Sequence, residues 1–273
     1  MNAGRWCDIN GIEIRPLRLD DLAAVARLLS DSFEPRLRPY MTYTQAGIEH
    51  FLEVGVAYPT AMPSVVRQVA VDLSDDSVVG FADFRLLDSP TAHLSYVCVS
   101  RSARGRGIAT LLIDRFRSLH RAIERIQLDV FSENVPARAL YKKLGFVEAE
   151  QSHWVTREMP AAAGHATITN LPYAHAAFER YGFCELEVKT TGVARKLGRL
   201  GHGVIRAFDV AAFDEDELLA SVRTQFPEAS IRFCIVSDSA FRMLKGAFEH
   251  LLTSRRMVLT LLDDSPARNG LIF

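Results

Sequence analysis

No run of apolar residues in this 273-residue chain reaches the roughly 18 that a membrane-spanning helix needs. The opening MNAGRWCDIN is polar and carries an acid, unlike a secretory leader, so a cytoplasmic protein with no membrane partner is expected. Charge of one sign is missing too: 32 Lys plus Arg stand against 33 Asp plus Glu, a formal net charge of −1. That leaves no global basic field, and no nucleic-acid partner is expected. Cysteine is scarce. Cys7, Cys98, Cys184 and Cys234 form no CxxC pair, which argues for reduced, mostly buried thiols rather than a zinc or redox site. The eight histidines show no HExxH spacing, so no metal is expected.

What is present is the composition of a globular core, 48% hydrophobic and 24% charged, in a length that suits two domains. Residues 12–17 alternate as a strand, and Asp20 can cap a helix whose apolar face holds Leu22, Val25, Ala26, Leu28 and Leu29. A second helix begins near Thr44, with Ile48, Phe51 and Leu52 inward. The aromatic and arginine-rich connection between them, with Arg36, Arg38, Tyr40 and Tyr43, is a candidate substrate contact. Val69 and Val71, the Asp75-Asp76-Ser77 turn and residues 78–87 predict a hairpin, followed by a strand at 92–99. Ile108, Leu111, Leu112, Phe116 and Leu119 recur at helical spacing, and Ile126, Leu128 and Val130 alternate as a strand. Pro136 opens a helix carrying Ala137, Leu140, Tyr141 and Leu144, which Gly145 ends before a last strand within 146–159.

The segment MPAAAGHA then reads as a linker. Beyond it the pattern predicts strands at 166–169, 183–188, 204–208, 231–236 and 257–262, with helices at 174–181, 215–224 and 240–252. The fold class is therefore α/β (α+β), with one unit at 11–160 and a second, smaller α/β unit at 161–273. AHAAFERYGF from Ala174 echoes ARALYKKLGF from Ala137, with Phe178 in the place of Tyr141, which suggests either a vestigial duplication or two unrelated short helices.

The strand-to-helix junction from Val97 to Ala109, VCVSRSARGRGIA, carries the strongest chemical signal. Gly105 and Gly107 let successive backbone N–H groups curl around one concavity, and the helix N-terminus adds a field favourable to an anion. That field is worth about 0.3–2 kcal/mol, so amide hydrogen bonds and Arg101, Arg104 and Arg106 must supplement it. A diphosphate suits such a turn. The segment lacks the third spaced glycine of a dinucleotide fold and the Gly-Lys-Ser/Thr of a P-loop.

With Arg104, Gly107 and Ala109 the turn matches (Gln/Arg)-x-x-Gly-x-(Gly/Ala), and Leu128-Asp-Val130, Asn134, Ala137, Leu140, Tyr141, Gly145 and Phe146 follow as a second block. On these motifs residues 11–160 resemble the GNAT superfamily of acyl-CoA-dependent N-acetyltransferases. The resemblance implies a mixed sheet flanked by helices and splayed between its fourth and fifth strands. It implies acetyl-CoA as co-substrate, held at Val97, Cys98 and Val99 along the fourth strand, at Arg104, Gly105, Arg106, Gly107, Ile108 and Ala109 in the turn, and at Asn134 and Ala137 opposite. Tyr141 would be the catalytic acid facing the departing sulfur, and the acceptor a small-molecule or peptide amine. The fourth strand reads His93-Leu-Ser95-Tyr96, without the glutamate common in relatives, so the base stays open among His93, Ser95, Asp83 and Glu133. That gap admits an alternative, a catalytically weak acyl-CoA-binding sensor. Residues 161–273 stand either as a degenerate GNAT-like half without a second active site, as an unrelated domain covering the acceptor site, or as a surface for homodimer formation.

Overall fold

The structure, a computed structural model, describes residues 6–7, 11–88, 90–190 and 193–261; Leu262, expected in the last strand, and the side chain of Cys7 lie outside the described residues. The first half runs β1 (Trp6–Cys7), β2 (Ile12–Pro16), α1 (Leu22–Ser32), α2 (Ile48–Ala57), β3 (Val65–Asp72), β4 (Ser77–Leu86), β5 (Thr91–Val99), α3 (Ile108–Leu119), β6 (Arg125–Phe131), α4 (Val135–Lys143) and β7 (Val147–Glu158). The second runs β8 (Thr167–Ile168), α5 (Leu171–Tyr181), β9 (Phe183–Thr190), β10 (Val193–Leu200), β11 (Val204–Ala207), α6 (Val210–Asp214), α7 (Asp216–Gln225), β12 (Ile231–Ser237), α8 (Asp238–Phe241) and β13 (Glu249–Thr260).

Period and burial agree through the first half. Leu22, Val25, Leu28 and Leu29 line the buried face of α1, and Ile108, Leu112, Ile113 and Phe116 that of α3. Those two helices cover opposite faces of one mixed sheet, because alternate residues of β5 pack with different clusters: Leu94, Val97 and Val99 against α3, Tyr96 and Cys98 against α1. Gly80 lets α3 approach β4 closely, since a Cβ there would lie 2.8 Å from Ile108 Cγ2.

All strands join a 13-stranded sheet in the order β1-β2-β3-β4-β5-β6-β13-β7-β12-β11-β10-β9-β8. The second half repeats the first: β9–β10 and β10–β11 are antiparallel and β11–β12 parallel, as are β3–β4, β4–β5 and β5–β6 in turn. The closing strands are exchanged. β13, at the end of the second half, pairs with β6 of the first, while β7 pairs with β12 of the second, and the two meet in the middle. The border at residue 160 thus divides the chain in sequence without dividing the sheet.

Two sequence expectations, and one missed strand, need correction. The helix placed at 240–252 is only the short α8, and β13 already begins at Glu249. Phe241, Leu244 and Phe248 do pack on the second core, which produced the helical spacing, but pairing with both β6 and β7 makes the following residues a strand. β10 was not anticipated, because VARKLGRL mixes cations and glycine with its apolar residues; hydrogen bonds to β9 and β11 and burial of Leu197 and Leu200 settle it. The sequence echo is also not the repeat. α4 precedes the closing strand β7, whereas α5 precedes the hairpin strand β9, so the two peptides occupy non-equivalent places.

Candidate active site

β5 and β6 pair in parallel only from Thr91↔Arg125 to Leu94↔Leu128, although β5 continues to Val99 and β6 to Phe131. The cause is local. Asp83 of β4 faces Tyr96 while Phe84 faces Leu94, so Ser95 is an extra residue, a bulge that turns β5 away from β6. The parted strands leave an opening of about 480 Å³ lined by β5, β6 and α4 and also by β7, β11, β12 and β13.

On the α3 and α4 face, Val97, Asn134, Ala137 and Tyr141 line this opening. Asn134 Oδ1 accepts the Ala137 N–H at 3.2 Å, capping α4, while its amide nitrogen stays free to donate. Tyr141 is 6% exposed, its ring packs on Phe146, and burial holds its hydroxyl protonated well above the ordinary value near 10. No residue among those described hydrogen-bonds the Tyr141 hydroxyl. Val99 leads into the glycine turn next to this mouth. Gly105 and Gly107 have φ of +81° and +79°, and Gly107 starts α3 without any side-chain cap. Nothing lies within 4 Å of a Cβ built on either glycine, so the turn faces open space. Arg104 Nε donates to Val99 O at 3.4 Å. Arg106 is bound to Asp72 at 2.6 Å, a contact that, with hydrogen bonds from Ser74, draws the half-buried Asp72 carboxyl down to about 2.

Not every sequence-predicted residue turns its side chain to the opening. The Cys98 thiol packs against α1, where burial pushes it up to about 11, and Ile108 is sealed in the core under α3, so both offer only backbone groups. Ala109 sits half-buried in the first turn of α3.

The opposite face carries His93, Arg85, Asp129, Phe131 and Arg256, together with Tyr40, Tyr43, Trp154 and Arg206. Strand register brings them together: Arg85 stands opposite His93, and Arg256 opposite Asp129. Arg256 grips Asp129 with two hydrogen bonds, 3.1 and 2.9 Å. His93 Nε2 lies 3.9 Å from Asp129, and burial, helped by Arg256 and Arg85, pulls its pKa below 6.5 despite that carboxylate. His93 is therefore a neutral imidazole at pH 7. Two other base candidates fall away. Asp83 is fully buried and held by Arg67 and the Tyr43 hydroxyl, each at 2.8 Å, and exposed Glu133 pairs with Arg36 outside the opening. His93 and Ser95 remain, both lining it. Arg38 is tied to the Phe33 carbonyl at 3.1 Å. No local pattern signals Arg206, Trp154 or Arg256, since the exchange of β7 and β13 brings the second half to this face.

In the second half, the place of the glycine turn is taken by Asp209, whose carboxylate accepts the Ala212 N–H at 2.7 Å and caps α6. An acid already fills that helix end, which opposes binding of a phosphate.

A model of the acetyltransferase (GNAT) family matches residues 22–146. An N-alpha-acetyltransferase of Saccharolobus solfataricus is 30% identical over 138 residues, covering 49% of this chain and 78% of that protein. Two solved structures share the fold over nearly the whole length. One, a candidate acetyltransferase from Pyrococcus horikoshii, has a TM-score of 0.62 at 17% identity, over 95% of this chain and 92% of its own. The other, a tandem GNAT protein from the clavulanic acid biosynthesis pathway, has a TM-score of 0.63 at 15% identity, over 91% and 98%.

Proposed function

Because the chain belongs to the GNAT family of acetyltransferases, we propose that it moves an acetyl group from acetyl-CoA to a primary amine by direct attack. The observation that carries this reading is the opening between β5 and β6, which passes through the sheet from Tyr141 on one face to His93 on the other. The donor and acceptor can then meet within the sheet while entering from opposite sides. Acetyl-CoA supplies an acyl group activated as a thioester.

The chain's own groups suit each task. Amides from Gly105 to Ala109, with Arg104 and Arg106 beside them, form a cradle for a diphosphate at an uncapped helix start. The unpaired edge of β5 from Ser95 to Val99 offers backbone groups to an extended amide chain such as the pantetheine arm, and the Asn134 amide can bond it from α4. Tyr141, held protonated by burial, is placed to give a proton or hydrogen bond to a departing thiolate. A free amine of pKa about 10 is mostly charged at neutral pH and must lose a proton. Neutral His93 is the group on the acceptor face able to take it, directly or through one water.

Thiol release from acetyl-CoA, followed across a panel of amines, tests the activity, and calorimetry tests binding. Turnover with some amines is expected; absence of acetyl-CoA binding removes the reading, and tight binding with no turnover would favour the sensor alternative.

A further inference from the structure

The charged side chains lining the opening on the acceptor face are Arg85, His93, Asp129, Arg206 and Arg256. Asp129 is spent on Arg256 and His93 is neutral, which leaves Arg85 and Arg206 as uncompensated cations. Among the described residues, five arginines have a buried Nε without a hydrogen-bond partner: Arg138, Arg199, Arg206, Arg232 and Arg255. Four of them engage a carboxylate through another nitrogen: Arg138 and Arg255 reach Glu148, Arg199 reaches Glu228 and Arg232 reaches Asp216. Among the described residues, Arg206 has no ion-pair or hydrogen-bond partner. Its guanidinium rests 5.3 Å from the Phe208 ring and 5.9 Å from the Phe233 ring, contacts that orient the cation without neutralising it. Burial, with a smaller repulsion from Arg85, weakens its hold on its proton against the opposing pull of the Tyr96 and Cys234 side chains, and no carboxylate of the described residues pairs with it. A half-buried cation that faces another cation without a paired acid is costly unless a ligand completes it.

We propose that the acceptor is an amine that also bears a carboxylate, and that Arg206, with Arg85, binds that carboxylate while the amine faces His93. The inference rests on the acetyl-transfer reading above. It also gives the second half a task, since Arg206 comes from β11 and completes an acceptor pocket whose cofactor side belongs to the first half. A guanidinium pairs with a carboxylate through two parallel hydrogen bonds, and the aromatic wall of Tyr40, Phe131 and Trp154 can flank the stem between the two functional groups.

The test compares matched acceptors: free amino acids against their α-amides, and short peptides with an acidic second residue against the same peptides with its amide, with spermidine as a carboxylate-free amine. Full-length protein should favour the carboxylate partner by at least about tenfold in kcat/KM, and the two pairs decide whether the carboxylate is that of a free amino acid or of a peptide side chain. Arg206→Gln and Arg85→Gln should raise KM for the carboxylate acceptor and bring the ratio towards one, while Arg206→Lys restores part of it. A preference for amides or spermidine overturns the proposal, as does a ratio that Arg206→Gln leaves intact. Arg85 is exposed, so its variant reports even if Arg206→Gln fails to fold. Calorimetry of the same acceptors on CoA-saturated protein separates the two readings. Carboxylate-selective binding without turnover would sink the catalytic reading but keep the anion site, whereas turnover without selectivity would do the reverse.

Discussion

At the scale of single residues, the proposed mechanism gives the two faces of the opening opposite proton tasks. The Tyr141 hydroxyl makes no hydrogen bond to the described residues, and its ring packs on Phe146, so Tyr141→Phe removes a proton donor without leaving one of them stranded. It should lower kcat by about 10²–10³ with little change in acetyl-CoA affinity, read by steady-state kinetics and calorimetry. For His93 as the proposed base, the active form is the neutral one. Burial lowers its pKa, so the acid limb of kcat/KM should lie below pH 6.5, with activity lost only as pH falls through it. The profile should be taken with a weakly basic amine, whose own titration does not mask that limb. A limb above that value, or one that persists in His93→Ala, would remove His93 as the base.

At the scale of elements, the junction of β5 and α3 depends on backbone conformation rather than on space. Gly107 opens α3 at φ +79° with no neighbour near its missing Cβ, so Gly107→Ala meets no clash. The cost of holding an alanine in that left-handed conformation is about 1–2 kcal/mol. It should appear as weaker acetyl-CoA binding, by roughly tenfold if the turn unwinds to relieve it. A variant that binds as the parent does, by calorimetry, would show that the turn does not grip the diphosphate. The elements of the first half were legible because each carries its own period: the 3.6-residue recurrence in α1 and α3, and alternation in β6. The bulge at Ser95 was not, since its register shift arises from pairing with β4. It is what moves Ser95 out of simple alternation with His93.

At the scale of the whole molecule, the exchange of β7 and β13 couples the halves. A fragment ending at residue 160 would lose β13 from between β6 and β7 and β12 from the far side of β7, baring three strand edges, which favours aggregation. Residues 11–160 alone should therefore be aggregated on a sizing column, and co-expression with 161–273 should recover a species of full-chain mass. A monomeric, acetyl-CoA-binding 11–160 fragment would show that the first unit folds by itself.

The sequence alone determined the glycine turn and the block from Leu128 to Phe146, because both are contiguous and their conformational demands are written in neighbouring residues: positive φ at Gly107, an Asn134 cap, a helical face bearing Tyr141. Only the tertiary structure decided which base candidates reach the opening. Asp83 is consumed by Arg67 and Tyr43, and His93 is kept neutral by burial, helped by Arg256 of β13 and Arg85 of β4. It also decided the lining of the opening's second face, the proposed acceptor side, where Arg206 and Trp154 arrive across the sheet through strand pairings far apart in sequence. Hydrogen bonding between distant strands carries no local signature, so no periodicity could reveal it.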